Sequence, residues 1–126
     1  MLPEEKNSSQ KQTMKLSVTY LVTILKYGYP PSMEDDIRSL SYLNSLGFHY
    51  LEMEGLGRVH AENLQKNLKV YENALKDNNI HIHNFCCVDP NLLSLDRKVR
   101  EEAFDYFKRL AEIGCSLGAE TLHLAS

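Results

Sequence analysis

Four short segments of the chain alternate hydrophobic and polar residues, and longer segments with helical periodicity separate them. The alternating segments are KLSVTYL (15–21), FHYLEMEG (48–55), IHIHNFCC (80–87) and TLHLAS (121–126). A period of two residues is typical of a β-strand with one buried face. The pattern therefore predicts four strands.

The intervening segments place apolar residues on one helical stripe and carry capping signals. The first predicted helix follows a capping box formed by Ser32 and Asp35, the second covers about residues 61–78, and the third extends from Asp96 to Gly118. The stretch before Ser32 is rich in Tyr, Gly and Pro, and we predict a loop there. The chain thus alternates strand and helix.

This alternation is the βαβ order of a parallel sheet, so we expect an α/β fold. Residues 14–126 are predicted to form one domain, because no low-complexity linker divides them. Residues 1–13 are polar and are predicted to form a flexible tail.

The polar positions of the predicted strands fall on one shared face of the sheet. They are Ser17, Thr19, Tyr50, Glu52, Glu54, His81, His83, Thr121 and His123. Parallel strands covered by helices on both faces normally read as continuous apolar runs, and burying these groups without partners would cost several kcal/mol each. A (β/α)8 barrel avoids that cost, since its helices pack outside and polar side chains line its mouth. We therefore predict a parallel (β/α) TIM-barrel type fold, with four strands and three helices forming half of the barrel.

Five residues of this face are candidates for a substrate pocket: Glu52, Glu54, His81, His83 and His123. Carboxylate and imidazole groups are suitable ligands for divalent metals and equally suitable hydrogen-bond partners for sugar hydroxyls. A histidine on a strand can also be purely structural, bonded to backbone or water. The residues alone leave these alternatives open.

Composition narrows the class of partner. The chain has 126 residues, of which 43% are hydrophobic and 25% charged, with a net charge of -3. No basic excess favours binding to nucleic acid, and no apolar run or leader favours the membrane, so we expect a cytoplasmic protein. Three cysteines without C-x-x-C spacing predict neither a disulfide framework nor a zinc knuckle. The adjacent Cys86 and Cys87 are interpreted as buried small residues, with a soft metal site as the alternative.

The usual catalytic motifs are missing from the sequence, including the dinucleotide, Walker, nucleophile-elbow and H-E-x-x-H patterns. GLGRVH (55–60) is Gly-rich and contains Arg58. It could approach a phosphate or a carboxylate, or it could be an ordinary loop. Both interpretations remain open at this stage.

The sequence resembles the xylose isomerase-like TIM-barrel superfamily of sugar phosphate isomerases and epimerases and endonuclease IV-type enzymes. LNSLGFHYLEMEG resembles the family's second strand, and IHIHNF and RLAEIGCSLGAETLHLAS resemble its third strand and the passage to the fourth. The resemblance covers about residues 15–126. It implies proton transfer next to the carbonyl of a sugar or sugar phosphate, with a divalent metal (Mn, Mg, Zn or Co).

The resemblance also assigns single residues. Glu52 matches the family's glutamate on the second strand, and His83 stands where the endonuclease branch has a metal-binding histidine. That branch expects a further histidine where this chain has Ala125. Together with the acidic charge, this makes a DNA-repair endonuclease the less favoured member.

A complete barrel needs about 250 residues, so the chain corresponds to an N-terminal half. The resemblance places the metal ligands and catalytic residues on later strands. We therefore expect neither a metal nor catalytic residues within this chain, which would be inactive alone. The alternative is a non-catalytic half-barrel that associates with another chain, as a homo-oligomer for example, through exposed edge strands.

Overall fold

The fold is built on one parallel sheet, seen in a computed structural model that describes residues 14–125. The predicted tail, residues 1–13, and Ser126 lie outside the described residues. The strands are β1 (Ser17–Val18), β2 (Tyr50–Leu56), β3 (His81–Val88) and β4 (Thr121–Ala125). They pair in parallel in the order β1-β2-β3-β4. The prediction of an α/β fold with a four-stranded parallel sheet is therefore confirmed.

The described residues contain more helices than the three predicted. They are α1 (Leu21–Tyr27), α2 (Met33–Ser45), α3 (Gly57–Lys66), α4 (Leu68–Asp77) and α5 (Arg97–Ser116), with a 3-10 helix at Pro90–Leu93. The predicted number of helices is thus wrong. None of these helices combines the length and the apolar character that crossing a membrane requires.

Helix α1 replaces the end of the first predicted strand and the start of the predicted loop. Its sequence, LVTILKY, is rich in β-branched residues and has weak helix propensity. Tertiary contacts stabilise it instead, because the buried hydroxyls of Thr23 and Ser39 lie 2.6 Å apart and join α1 to α2. Local pattern could not predict this contact.

The second predicted helix is interrupted at Asn67, which separates α3 from α4. The backbone of Asn67 has φ -115° and ψ 20°, and its side-chain Nδ2 donates to the Asn63 carbonyl at 2.9 Å. Asparagine side chains compete for backbone groups in this way and disfavour the helix interior. The break therefore follows from residue chemistry that hydrophobic periodicity does not detect.

The predicted N-caps are confirmed. Ser32 Oγ accepts a hydrogen bond from the Asp35 backbone N–H at 3.1 Å. Asp96 Oδ1 accepts from the Lys98 and Val99 amides at 2.8 and 3.2 Å. These bonds satisfy donors that the first turn of a helix leaves unpaired.

The hydrophobic core lies between the helices and one face of the sheet. The strand residues of this face include Leu51, Met53, Ile82, Phe85 and Cys87, all buried. Gly55 lies on the same face opposite the fully buried Leu110 of α5, and a Cβ there would lie 2.5 Å from Leu110 Cδ2. The absence of a side chain at Gly55 therefore lets α5 approach the sheet.

A β-bulge interrupts the alternation of β3. Tyr50 pairs with His81 and Leu51 with Ile82, but Glu52 pairs with Asn84, so His83 is an extra residue in the strand. Such a residue shifts every later side chain of its strand to the other face.

Candidate functional site

The other face of the sheet, which we call the open face, has no helix over it within residues 14–125. Along β2 the side chains alternate between buried residues toward the helices and half-buried residues toward the open face. The strand register brings six open-face residues into two rows across the sheet. The middle row is Glu52, Asn84 and Thr121, and the upper row, nearer the carboxyl ends of the strands, is Glu54, Cys86 and His123.

Hydrogen bonds connect the whole middle row. Asn84 Nδ2 donates to Glu52 Oε2 at 3.0 Å, and Thr121 Oγ1 lies 3.0 Å from Asn84 Oδ1, which accepts from it. Thr121 Oγ1 also lies 2.9 Å from the His83 carbonyl oxygen. The row therefore fixes the orientation of the Glu52 carboxylate and of the Asn84 amide.

Glu54 in the upper row has an altered protonation equilibrium. Burial raises the pKa of the Glu54 carboxyl, the charge of Glu52 raises it further, and His60 acts in the opposite direction. A carboxyl group with a raised pKa can give and take a proton closer to neutral pH. Among the carboxyl groups of the two rows, Glu54 is therefore the one whose pKa is displaced toward neutral pH.

Cys86 is adjacent to Glu54 across the sheet, and its Sγ lies 3.7 Å from His123 Nδ1. Burial raises the pKa of the Cys86 thiol, and the charges of Glu54 and then Glu52 act in the same direction. An activated cysteine nucleophile needs a lowered pKa and an electropositive environment. The Cys86–His123 pair thus contributes polar groups to the open face rather than a reactive thiolate.

His81 and His83 lie at the amino end of the sheet, away from the upper row. His83 Nδ1 lies 3.2 Å from Glu120 Oε2, and Lys15 Nζ lies 3.5 Å from Glu120 Oε1. The hydrogen bond from His83, and then Lys15, lowers the pKa of the Glu120 carboxyl. The His81 ring is 5.9 Å from the Tyr50 ring, centre to centre.

The five residues predicted as a pocket are therefore divided between two places. Glu52, Glu54 and His123 lie together in the two rows, whereas His81 and His83 belong to the exposed cluster at the strands' amino ends.

The upper row brings a carboxylate, a thiol and an imidazole together, which are groups that bind metal ions. Across residues 14–125, however, no three His, Cys, Asp or Glu side chains are placed to hold one ion. The donor set of the open face does not fit a metal centre by itself.

A buried polar cluster was not predicted from the sequence. Asp36 Oδ1 accepts from the Tyr20 hydroxyl at 2.5 Å, and its Oδ2 accepts from the Tyr71 hydroxyl at 2.7 Å. His60 Nδ1 accepts from the Leu56 N–H at 3.1 Å, so Nε2 carries the proton and donates toward the Tyr20 oxygen, 3.1 Å away. Burial and the charge of Asp36 raise the pKa values of both tyrosines.

This cluster joins α2, α3 and α4 to the turn before α1, and its residues Tyr20, Asp36 and Tyr71 line one side of a cavity of about 10 Å³. One sequence signal could have revealed it. Asp36 follows Met33 by three residues and precedes Leu40 by four, so a charged residue occupies the inward stripe of α2. A buried charge at such a position needs partners, and the two tyrosines and His60 provide them.

Comparisons with known proteins add no assignment: no protein-family model matches this chain, and no curated protein is similar enough to count as a relative.

Proposed function

We propose that the open face binds a sugar or sugar phosphate, and that the chain forms half of a (β/α)8 barrel of the sugar isomerase and epimerase type. The observation that carries the proposal is the pair of polar rows on the open face. Five hydrogen-bonding side chains, which lie with the buried Cys86 on one face and are oriented by the sheet register, match the many hydroxyls of a sugar.

The two rows differ in what they can contribute. The middle row presents a carboxylate, an amide and a hydroxyl that are already held in place by one another. Groups held in this way recognise hydroxyls without losing much side-chain freedom. In the upper row, Glu54 is the residue suited to exchange a proton with the carbon next to a carbonyl. This role requires a barrel completed by strands outside residues 14–125.

Nuclear magnetic resonance of the ¹⁵N-labelled chain tests the binding step. Titration with D-xylose and with ribose 5-phosphate should shift the amide signals of residues 52–54, 84–86 and 121–123 in a saturable way. Asn84→Ala should weaken binding, because it removes the link between Glu52 and Thr121. Glu62→Gln, on the exposed side of α3, is the matched control and should leave it unchanged.

Two results would reject this proposal: the absence of saturable shifts at millimolar sugar, or saturable shifts that spare both rows. A tight stoichiometric complex of the chain with a divalent metal alone would reject the assignment of the metal ligands to other strands.

Association with another chain is a second candidate function, and the edge strand β4 favours it. Its residues Leu122 and Leu124 are 40% and 50% exposed, although they point to the side where the helices pack. Apolar side chains beside an unpaired strand edge favour pairing with another polypeptide. Sedimentation of the purified chain measures self-association directly, and a folded monomer at high micromolar concentration would exclude closure of the barrel by dimerisation.

A further inference from the structure

The parallel sheet has an unpaired strand at each edge. Within residues 14–125 the strand order is β1-β2-β3-β4, so β1 and β4 each have one neighbour. Both strands run in the same direction as the strands between them. In a (β/α)8 barrel all strands are parallel and no edge remains, so closing this sheet requires further strands of the same direction at both edges.

The sheet curves around its open face. Lys15 Nζ, just before β1, lies 3.5 Å from Glu120 Oε1, just before β4, although two strands separate β1 from β4. In a flat sheet these edges would be about 14 Å apart, and side chains stand roughly perpendicular to the sheet. Lys15 Nζ also lies 5.0 Å from the centre of the Tyr50 ring on the open face. The contact between Lys15 and Glu120 therefore crosses the concave side of the sheet, and a barrel wall has this curvature.

Both edges expose apolar side chains on the helix side of the sheet. Leu122 and Leu124 of β4 are 40% and 50% exposed, and Leu16, just before β1, is 65% exposed. By alternation Leu16 lies on the same side as Val18, which is partly buried against the core. Apolar side chains beside an unpaired strand favour pairing with another polypeptide.

We infer that this other polypeptide is a second copy of the same chain, and that the two copies close into one eight-stranded parallel barrel. The two-fold axis lies along the barrel, which keeps all eight strands parallel. Strand β4 of each copy then pairs with β1 of the other, so the same two edges form both seams. The inference rests on the proposed function, because it takes the half-barrel from there and names the partner that completes it.

The register of the sheet specifies which residues meet at each seam. Val18 pairs with Leu51, so the middle row of the open face, which ends at Thr121, lies level with Thr19 of the same chain. A barrel of this type has a shear of about eight residues, which is about four for each half. Strand β4 begins nearer the carboxyl ends than β1 does, which gives the direction of the stagger. The middle row therefore continues from Thr121 onto Lys15 of the second copy.

In this register the exposed apolar residues of the two edges match. Leu16 of the second copy lies opposite Leu122, and Val18 of the second copy lies opposite Leu124. All four side chains are on the helix side, where directly opposite residues of neighbouring strands contact each other. Closure therefore removes the exposed leucines of both edges from water.

The charges at the amino ends fit the same arrangement. Lys15 and Glu120 already form an ion pair within one chain, and their side chains are 52% and 43% exposed. In the closed pair, Lys15 of the second copy comes next to Thr121 and therefore close to Glu120 as well. Two lysines and two glutamates then alternate around the amino end of the barrel, and their charges cancel. This arrangement favours a second copy over a partner of high net charge.

Closure also completes the proposed sugar site. The open face of one copy then faces the open face of the other, so the polar rows of both copies line one pocket. Glu52 and Glu54 of each copy lie inside it. A pocket with two walls buries more of a small ligand than a single exposed face does.

Sedimentation equilibrium of the purified chain, from low to high micromolar concentration, tests the association. Leu16→Lys and Leu124→Lys should each weaken the dimer about tenfold or more, because each introduces a charge into an apolar seam. Both leucines are at least half exposed, so the far-ultraviolet circular dichroism of the two variants should match that of the wild type. Leu95→Lys, in the loop before α5 and 99% exposed, is the matched control and should leave association unchanged.

Paired cysteines test the register. A chain carrying Lys15→Cys, mixed with a chain carrying Thr121→Cys, should form a disulfide between the two chains on mild oxidation. Thr19→Cys is the matched control, because Thr19 lies about 13 Å further along the same strand direction and should not link to Thr121→Cys. All these chains also carry Cys115→Ser, which removes the exposed native thiol. Since the two cysteines are on different chains, a link within one chain cannot produce the expected product.

A folded chain that stays monomeric at high micromolar concentration overturns the inference. A dimer that Leu16→Lys and Leu124→Lys leave unchanged also overturns it, and so does a dimer in which Lys15→Cys and Thr121→Cys are not linked. The sugar titration tests the proposed function separately. A monomer with saturable shifts in the two rows overturns only the dimer, and a dimer with the expected disulfide but without sugar shifts overturns only the sugar site.

Discussion

Substitution of Gly55 by alanine should destabilise the protein, although the backbone of this residue permits a side chain. The three atoms nearest to the new Cβ all belong to Leu110: Cδ2 at 2.5 Å, Cδ1 at 3.2 Å and Cγ at 3.4 Å. Rotating one methyl group cannot remove all three contacts, and Leu110 is fully buried. The leucine must therefore move within a closely packed core.

The expected magnitude follows from two opposing effects. Overpacking a core costs about 1–3 kcal/mol, whereas replacing glycine reduces the entropy of the unfolded chain and returns roughly 0.4–1 kcal/mol. We expect a net loss of about 1–2 kcal/mol from the free energy of unfolding. Far-ultraviolet circular dichroism in urea measures it, and a loss of this size should lower the midpoint by roughly 0.5–1 M.

A double-mutant cycle identifies the cause. Leu110→Ala alone should cost about 2–5 kcal/mol, because it leaves a cavity under the sheet. In the double variant the new methyl group occupies part of that cavity. Its loss of unfolding free energy should therefore be smaller than the sum of the two single losses by about 1 kcal/mol or more. Strict additivity, or a Gly55→Ala variant as stable as the wild type, would refute the reasoning.

Three further predictions concern buried and titrating groups. Asp36→Ala should lower the free energy of unfolding in urea by about 2–4 kcal/mol, since two tyrosine hydroxyls lose their acceptor; a loss no larger than that of Tyr71→Phe would contradict this. Because folding raises the pKa of Glu54, its protonated carboxyl group stabilises the folded protein at pH values below the ordinary pKa of 4.5. This stabilisation is lost as the pH rises through the pKa of the folded state. The melting temperature of Glu54→Gln relative to that of the wild type should therefore increase from acid to neutral pH. A difference that does not change with pH would contradict this prediction. Folding lowers the pKa of Glu120, so its ionised carboxylate stabilises the folded protein above pH 4.5, and this stabilisation is lost as the pH falls. Glu120→Gln should therefore melt at a slightly lower temperature than the wild type at neutral pH and at the same temperature in acid. The reverse order would exclude the His83–Glu120 bond.

The parallel sheet and the helix caps were predictable because their signals are local. Alternation over four segments specifies strands with one apolar face, and Ser32 and Asp96 stand directly before amphipathic stripes. Helix α1 and the break at Asn67 could not be predicted in the same way. Helix α1 is held by the contact between Thr23 and Ser39, and the break at Asn67 accompanies a hydrogen bond from its side chain to the backbone.

The candidate site was predictable only in part, because the bulge at His83 is not visible in the sequence. Strict alternation along β3 predicts that His81 and His83 lie on the same face of the sheet as Glu52 and Glu54. It places Asn84 and Cys86 on the opposite face. The extra residue instead pairs Asn84 with Glu52 and Cys86 with Glu54. Register depends on how two strands meet, which no single segment specifies.

The same register separates two neighbouring sulfur atoms. Cys86 projects to the open face beside His123, and Cys87 projects into the core, where it is 1% exposed. Side chains of successive strand residues point to opposite sides, so an oxidant cannot join these two thiols unless β3 first unfolds. The strand geometry therefore prevents a disulfide bond between Cys86 and Cys87. An oxidant from the solvent would reach the Cys86 thiol before that of Cys87.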